Sequence, residues 1–69
     1  MIRRTFQFPD FRTSMAFVNR VAEAAEAADH HPDIDIRYSK VTLALVTHDA
    51  GGLTHRDVAL AERADDLAR

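Results

Sequence analysis

The stretch Glu26-Ala27-Ala28-Asp29-His30-His31-Pro32-Asp33-Ile34-Asp35-Ile36-Arg37-Tyr38 holds the change of period that decides the fold. Before it, apolar residues recur at helical spacing; after it, they alternate as in a strand. Pro32 marks the boundary, because its ring fixes φ, it has no N–H, and it drives His31 into extended geometry. A helix from Phe11 to Asp29 is therefore expected to end at the histidine pair. The last carbonyls of a helix carry partial negative charge, which favours a protonated imidazole beside them. Imidazole titrates near neutral pH, so two histidines at such an end are candidates for giving and taking protons. Taken alone, His-His-Pro is a short motif, and a solvated polar helix end explains it too.

Working back from Pro32, Phe11, Met15, Val18, Ala22 and Ala25 make one apolar stripe. Phe17, Val21, Ala24 and Ala28 widen it, and a stripe this wide reads as core. Asp10 is a good N-cap for that helix. Ile2 to Phe8 reads as a first strand, with Ile2, Phe6 and Phe8 on one parity and Arg4 breaking the alternation.

Working forward, Ile34, Ile36 and Tyr38 point one way while Asp33, Asp35 and Arg37 point the other, the pattern of a half-buried strand. Ser39-Lys40 is either a tight connection or a bend in one long strand. Val41 to Thr47 is β-branched and apolar on both faces, which predicts a central strand. His48 stands at its end, on the side of Thr42, Ala44 and Val46, and Asp49-Ala50-Gly51-Gly52 reads as a loop. Thr54 as N-cap, Asp57 at the third helical position, and a Leu53–Val58 staple mark the start of a last helix. Its apolar face is expected to be Val58, Leu60, Ala61, Ala64 and Leu67. The expectation is one domain over residues 1–69 in the order β-α-β-β-α.

Composition narrows the function. A chain of 69 residues buries only about 60% of its extended surface, so its own core is small. It has no cysteine, hence no disulfide framework and no cysteine-based zinc site. Self-association is the expected compensation. The net charge of −2, from nine basic and eleven acidic residues, argues against nucleic acid as a direct ligand. No apolar run approaches the roughly 18 residues of a membrane helix, and no apolar h-region follows Arg3-Arg4. A cytoplasmic protein with no membrane partner is expected.

The histidines are at 30, 31, 48 and 55. Their spacing suits no familiar metal set, so no metal is expected. Ser14 and Ser39 lack a nucleophile context. His55 reads as a surface residue at the start of the last helix, where positive charge is disfavoured. Proton transfer by histidine remains, with Glu26 and Asp57 as carboxylates in reach. Capping is the better explanation of Asp57, and solvation on the helix surface that of Glu26 unless the site wraps over it.

Glu26, His30-His31-Pro32, Tyr38, His48 and Asp57 together occupy seven positions over thirty-two residues. With Thr47 to Thr54 and Arg56-Asp57, they closely resemble the pterin-4a-carbinolamine dehydratase family, also called the dimerisation-cofactor family. The resemblance implies an α+β fold, an antiparallel sheet with helices packed on one face, here shortened at the N-terminus by about one helix and one strand. Position 34 is Ile where many members have Trp. The implied reaction is dehydration of 4a-hydroxytetrahydrobiopterin to quinonoid dihydropterin, in tetrahydrobiopterin recycling. The family likeness makes His30 and His48 the acid/base pair, with His31 holding the pterin. Asp29, Thr47 and Asp49 would flank the pocket, and Glu26, Asp57, Pro32 and Tyr38 would support it. The pterin is substrate, no cofactor is needed, and a homodimer or tetramer is implied. The alternative is a non-catalytic member serving as a protein-binding or assembly module.

Overall fold

Lys40–Leu45 (β3) is the middle strand of a three-stranded antiparallel sheet, between Ile2–Gln7 (β1) and Asp33–Arg37 (β2). The structure is a computed structural model that describes residues 1–45 and 55–69. Its helices are Phe11–Ala28 (α1) and His55–Leu67 (α2), giving the order β1-α1-β2-β3-α2. This is the α+β arrangement expected from the sequence, and the β-branched, apolar strand is indeed the central one.

Register explains which face is covered. Phe6 and Ile36 both pair with Val41, and Arg4 and Ile34 both pair with Leu43. Paired residues share a face, so these side chains look the same way. Val41, Leu43 and Leu45 are fully buried there, the first two against Phe17 and Val21 of α1 and Ala64 of α2, and Leu45 against Ala25, Leu60 and Ala61. The opposite face is polar: Thr5 and Thr42 pair, and their hydroxyls hydrogen-bond at 3.1 Å. Arg4, which broke the alternation, lies on the helix side and reaches Asp65 of α2 at 3.6 Å. Both groups are solvated, so the pair is worth at most about 1 kcal/mol.

The buried face of α1 is Ser14, Phe17, Val21 and Ala25. Of the expected central stripe only Ala25 is buried; Met15 and Val18 are half-buried, and Phe11 and Ala22 are exposed. The helix is rotated because Phe17 meets Phe6 and Phe8, with ring centroids 4.8 and 5.0 Å away. Such contacts contribute roughly 0.5–1.5 kcal/mol beyond area burial. Ser14 tolerates the inward position because its hydroxyl donates to Asp10 O at 3.0 Å. On α2 the buried residues are Asp57, Leu60, Ala61 and Ala64. Val58, expected inward, is exposed. Leu53 and Thr54, the other half of the expected staple and the cap, lie outside the described residues.

Tyr38 is not in the strand that alternation gave it. Arg37 pairs with Lys40, so Tyr38-Ser39 is the turn joining β2 to β3. Tyr38 has φ 55°, a left-handed value uncommon for a bulky residue, and its side chain is exposed. Phe8 N–H and Gln7 Nε2 donate to Ser39 O and Oγ, each at 2.8 Å, tying this turn to the end of β1.

Asp10 caps α1 as expected, its Oδ1 accepting from Thr13 N–H at 2.8 Å. That hydrogen bonding, helped by the nearby Arg12 charge, holds its carboxyl below the ordinary 3.8. A depressed acid stabilises the fold above its unfolded value and loses that contribution as pH falls through its folded value. Asn caps nearly as well without titrating. Thermal melts of Asp10→Asn and the parent should therefore differ by a constant amount above about pH 4 and converge or cross below it. A difference unchanged down to pH 2 would mean that the charge on Asp10 is irrelevant to the cap.

Candidate active site

Two helix ends meet at the site. At the end of α1, Asp29 takes a left-handed conformation, φ 51° and ψ 45°. Its N–H donates to Glu26 O at 3.2 Å, and His30 N–H donates to Ala25 O at 3.1 Å. This pair of bonds is a Schellman closure, with Asp where glycine is usual. The helix thus stops at Ala28, one residue earlier than expected, and the reversal at Asp29 ends it before Pro32 can. The reversal sends the two histidines to different places. His30 turns inward, its side chain 11% exposed, while His31 stays outside with 57% exposed.

The first turn of α2 closes over this end. Arg56 Nη2 donates to Ala28 O and Asp29 O, both at 2.9 Å. The last turn of α1 has no basic residue of its own, so α2 supplies the cation that its carbonyls favour. Next to Arg56, Asp57 is fully buried, and its Oδ1 accepts from His30 Nε2. A carboxylate removed from water is strongly unfavourable unless paired. With Asp57 ionised, its carboxylate only accepts, and Nε2 of His30 then carries the hydrogen. Nδ1 is then left as lone pair in the neutral ring, or as donor in the charged one.

His31 has an analogous partner, since its Nε2 lies 2.5 Å from Glu26 Oε2. The Glu26 side chain is 76% exposed, so this pair is solvated and contributes at most about 1 kcal/mol. Of the residues expected at the site, the structure thus brings together Glu26, Asp29, His30, His31 and Asp57. Pro32 follows directly and leads into β2. Tyr38 is at the far end of β2, about 15 Å along a strand that begins at Asp33. Thr47, His48 and Asp49 lie outside the described residues.

Sequence reasoning had Arg56 only within the family resemblance and gave it no role, because no local pattern pairs it with the carbonyls of a distant helix. It also favoured capping for Asp57; burial and the His30 contact put it beside the histidine. The remaining feature is a cleft of about 450 Å³ between α1 and α2, opening beside His30 and floored by Leu60. No described helix is long and apolar enough to cross a membrane.

Burial separates the two histidine–carboxylate pairs energetically. A double-mutant cycle of His30→Ala and Asp57→Ala, followed by urea unfolding, should give a coupling of roughly 1–3 kcal/mol. The cycle of His31→Ala and Glu26→Ala should give less than about 1 kcal/mol. Equal couplings would contradict the distinction.

Comparison with known proteins identifies the family. The family described as pterin 4 alpha carbinolamine dehydratase matches residues 1–67. A protein of Acidobacterium capsulatum with the provisional name pterin-4-alpha-carbinolamine dehydratase is 65% identical over 66 residues, 96% of this chain and 72% of its own. A like-named protein of Thermomicrobium roseum is 63% identical over 65 residues, 94% and 70% of the two chains. The crystal structure of a transcriptional coactivator/pterin dehydratase from Brucella melitensis superposes with a TM-score of 0.93 at 36% identity, over 97% of this chain and 71% of that one. A pterin dehydratase-like protein identified as a RuBisCO assembly factor in the alpha-carboxysome gives 0.81 at 27% identity, over 96% and 76%. The chain belongs to the pterin-4-alpha-carbinolamine dehydratase family.

Proposed function

We propose that this protein dehydrates a pterin-4a-carbinolamine, 4a-hydroxytetrahydrobiopterin or a close analogue, to the quinonoid dihydropterin. The observation that carries this reading is the inward-facing His30 held through Nε2 by buried Asp57. In the reaction the C4a–O bond breaks and the hydroxyl leaves as water after accepting one proton. A ring nitrogen gives up one proton, so protons balance and no electrons enter or leave. The protein has to deliver one proton and remove another, which suits positioned imidazoles. His30 uses Nδ1, the nitrogen Asp57 does not occupy. His48 is its counterpart by the family signature, with Thr47 and Asp49 beside it. His31 and Asp29, on the exposed side of the reversal, hold the pterin. The chemistry asks for no metal or organic cofactor, and the reading places the protein in the cytoplasm as a homodimer or tetramer recycling tetrahydrobiopterin.

A second reading is a non-catalytic binding or assembly module. It rests on the likeness to the RuBisCO assembly factor, a pterin dehydratase-like protein of the same fold. Retention of the three signature histidines and Asp57 favours the enzyme.

Turnover of enzymatically generated 4a-carbinolamine decides between them. His30→Ala should lower kcat by roughly 10²–10⁴, the usual worth of a positioned acid or base. His31→Ala should act mainly on KM, as expected where ground state and transition state are held alike. The parent's rate should be bell-shaped in pH around neutrality. Arg37→Ala, on β2, should change neither constant. No turnover by folded parent protein would give the function to the assembly reading.

A further inference from the structure

We propose that the cleft between α1 and α2 is a subsite for an anionic substituent on the pterin, selected by Arg63. The proposal rests on the dehydratase reading for the pterin itself. At about 450 Å³ the cleft lies within the range of small-molecule sites. His30 lies on its lining, so whatever fills the cleft lies beside the group that would act on the pterin. The space exists because Ala24, Ala27 and Ala59 stand where longer side chains would close the groove over Leu60.

Its permanent charges have one sign: Arg56 and Arg63 supply them, His30 and His55 add imidazoles, and none of the described lining residues is acidic. In a chain with more acidic than basic residues, an acid-free wall with two arginines departs from the average surface. Arg56, Leu60 and Arg63 lie four and three residues apart, so they share one helix face. The arginines are therefore about 10 Å apart along α2. Arg56 is held at one end of the cleft by the Ala28 and Asp29 carbonyls. Arg63 has no ion pair or hydrogen bond among the described residues, so its donors face the opening unspent. A guanidinium binds phosphate or carboxylate oxygens in bidentate fashion, whereas a neutral hydroxylated chain offers no charge to meet it. His30 and Arg63 both line the cleft, so an anionic chain on a pterin docked at His30 would run within it towards Arg63.

The test compares carbinolamines bearing a neutral dihydroxypropyl chain, a phosphate-terminated chain and a carboxylate-terminated chain. The parent protein should favour an anionic substrate in kcat/KM by about tenfold or more at low salt, the scale of one charged hydrogen bond. Arg63→Ala should abolish most of that ratio through KM, and Arg63→Lys should restore part of it. Ala59→Glu, which puts a like charge in the groove, should lower the ratio without touching Arg63. The phosphate and carboxylate arms show which anion is preferred. Equilibrium binding of the matching 7,8-dihydropterins, followed by fluorescence, reads the subsite without turnover. Turnover of all substrates with no dependence on Arg63 overturns the subsite and leaves the dehydratase standing. Binding of the anionic dihydropterin that depends on Arg63, without turnover, overturns the dehydratase and leaves the subsite. Neither turnover nor binding dependent on Arg63 overturns both.

Discussion

A buried carboxylate cannot be left alone, and in this small protein Asp57 has His30 as its partner. That requirement joins the end of α1 to the start of α2. Arg56 strengthens the junction by serving the carbonyls that end α1, so the two adjacent residues meet the two needs of one helix terminus. Removing one member of a buried pair commonly costs several kcal/mol, against a total of 5–15 kcal/mol for an ordinary domain. The same contact that closes the fold also fixes which nitrogen of His30 is occupied. On the proposed dehydratase reading, stability and proton chemistry share one set of atoms, whereas His31 and Glu26 are a turn away and solvated.

Packing is graded from one end of the molecule to the other. Phe6, Phe8 and Phe17 set the separation of α1 from the sheet at the turn end. Towards the histidines the buried residues become Ala25, Ala61, Leu45 and Leu60. Small side chains let the helix termini approach closely enough for Arg56 and Asp57 to reach α1. Where alanines are exposed as well, the helices leave the open cleft beside His30. Bulk holds the scaffold, and its absence makes room for the site.

The order of elements was legible because hydrophobic period changes sharply at Pro9 and Pro32, while the break at Ser39-Lys40 was left open between a turn and a bend. Finer placement failed for identifiable reasons. Ser14 is polar and was left off the buried face, yet its bond to the Asp10 carbonyl lets it sit under the helix. Tyr38 continues the alternation of Ile34 and Ile36, but the pairing of Arg37 with Lys40 forces it into the turn. Asp57 satisfies the pattern of a cap as well as that of a site residue, and only burial separates the two. The role of Arg56 was illegible because the Ala28 and Asp29 carbonyls it serves are backbone atoms, which carry no residue identity. The histidine pair and its carboxylates were legible from spacing; the inward and outward fates of His30 and His31 depend on the backbone reversal at Asp29.

If Asp57 orients His30, the ring has a defined tautomer before any substrate binds. Long-range ¹H–¹⁵N spectra of the imidazoles, taken where the rings are neutral, report which nitrogen carries the hydrogen. The expected result is His30 as the Nε2–H form with a bare Nδ1, lost to a mixture of forms in Asp57→Ala. A His30 ring that carries its hydrogen on Nδ1, or one unchanged by removing Asp57, would contradict the role given to this contact.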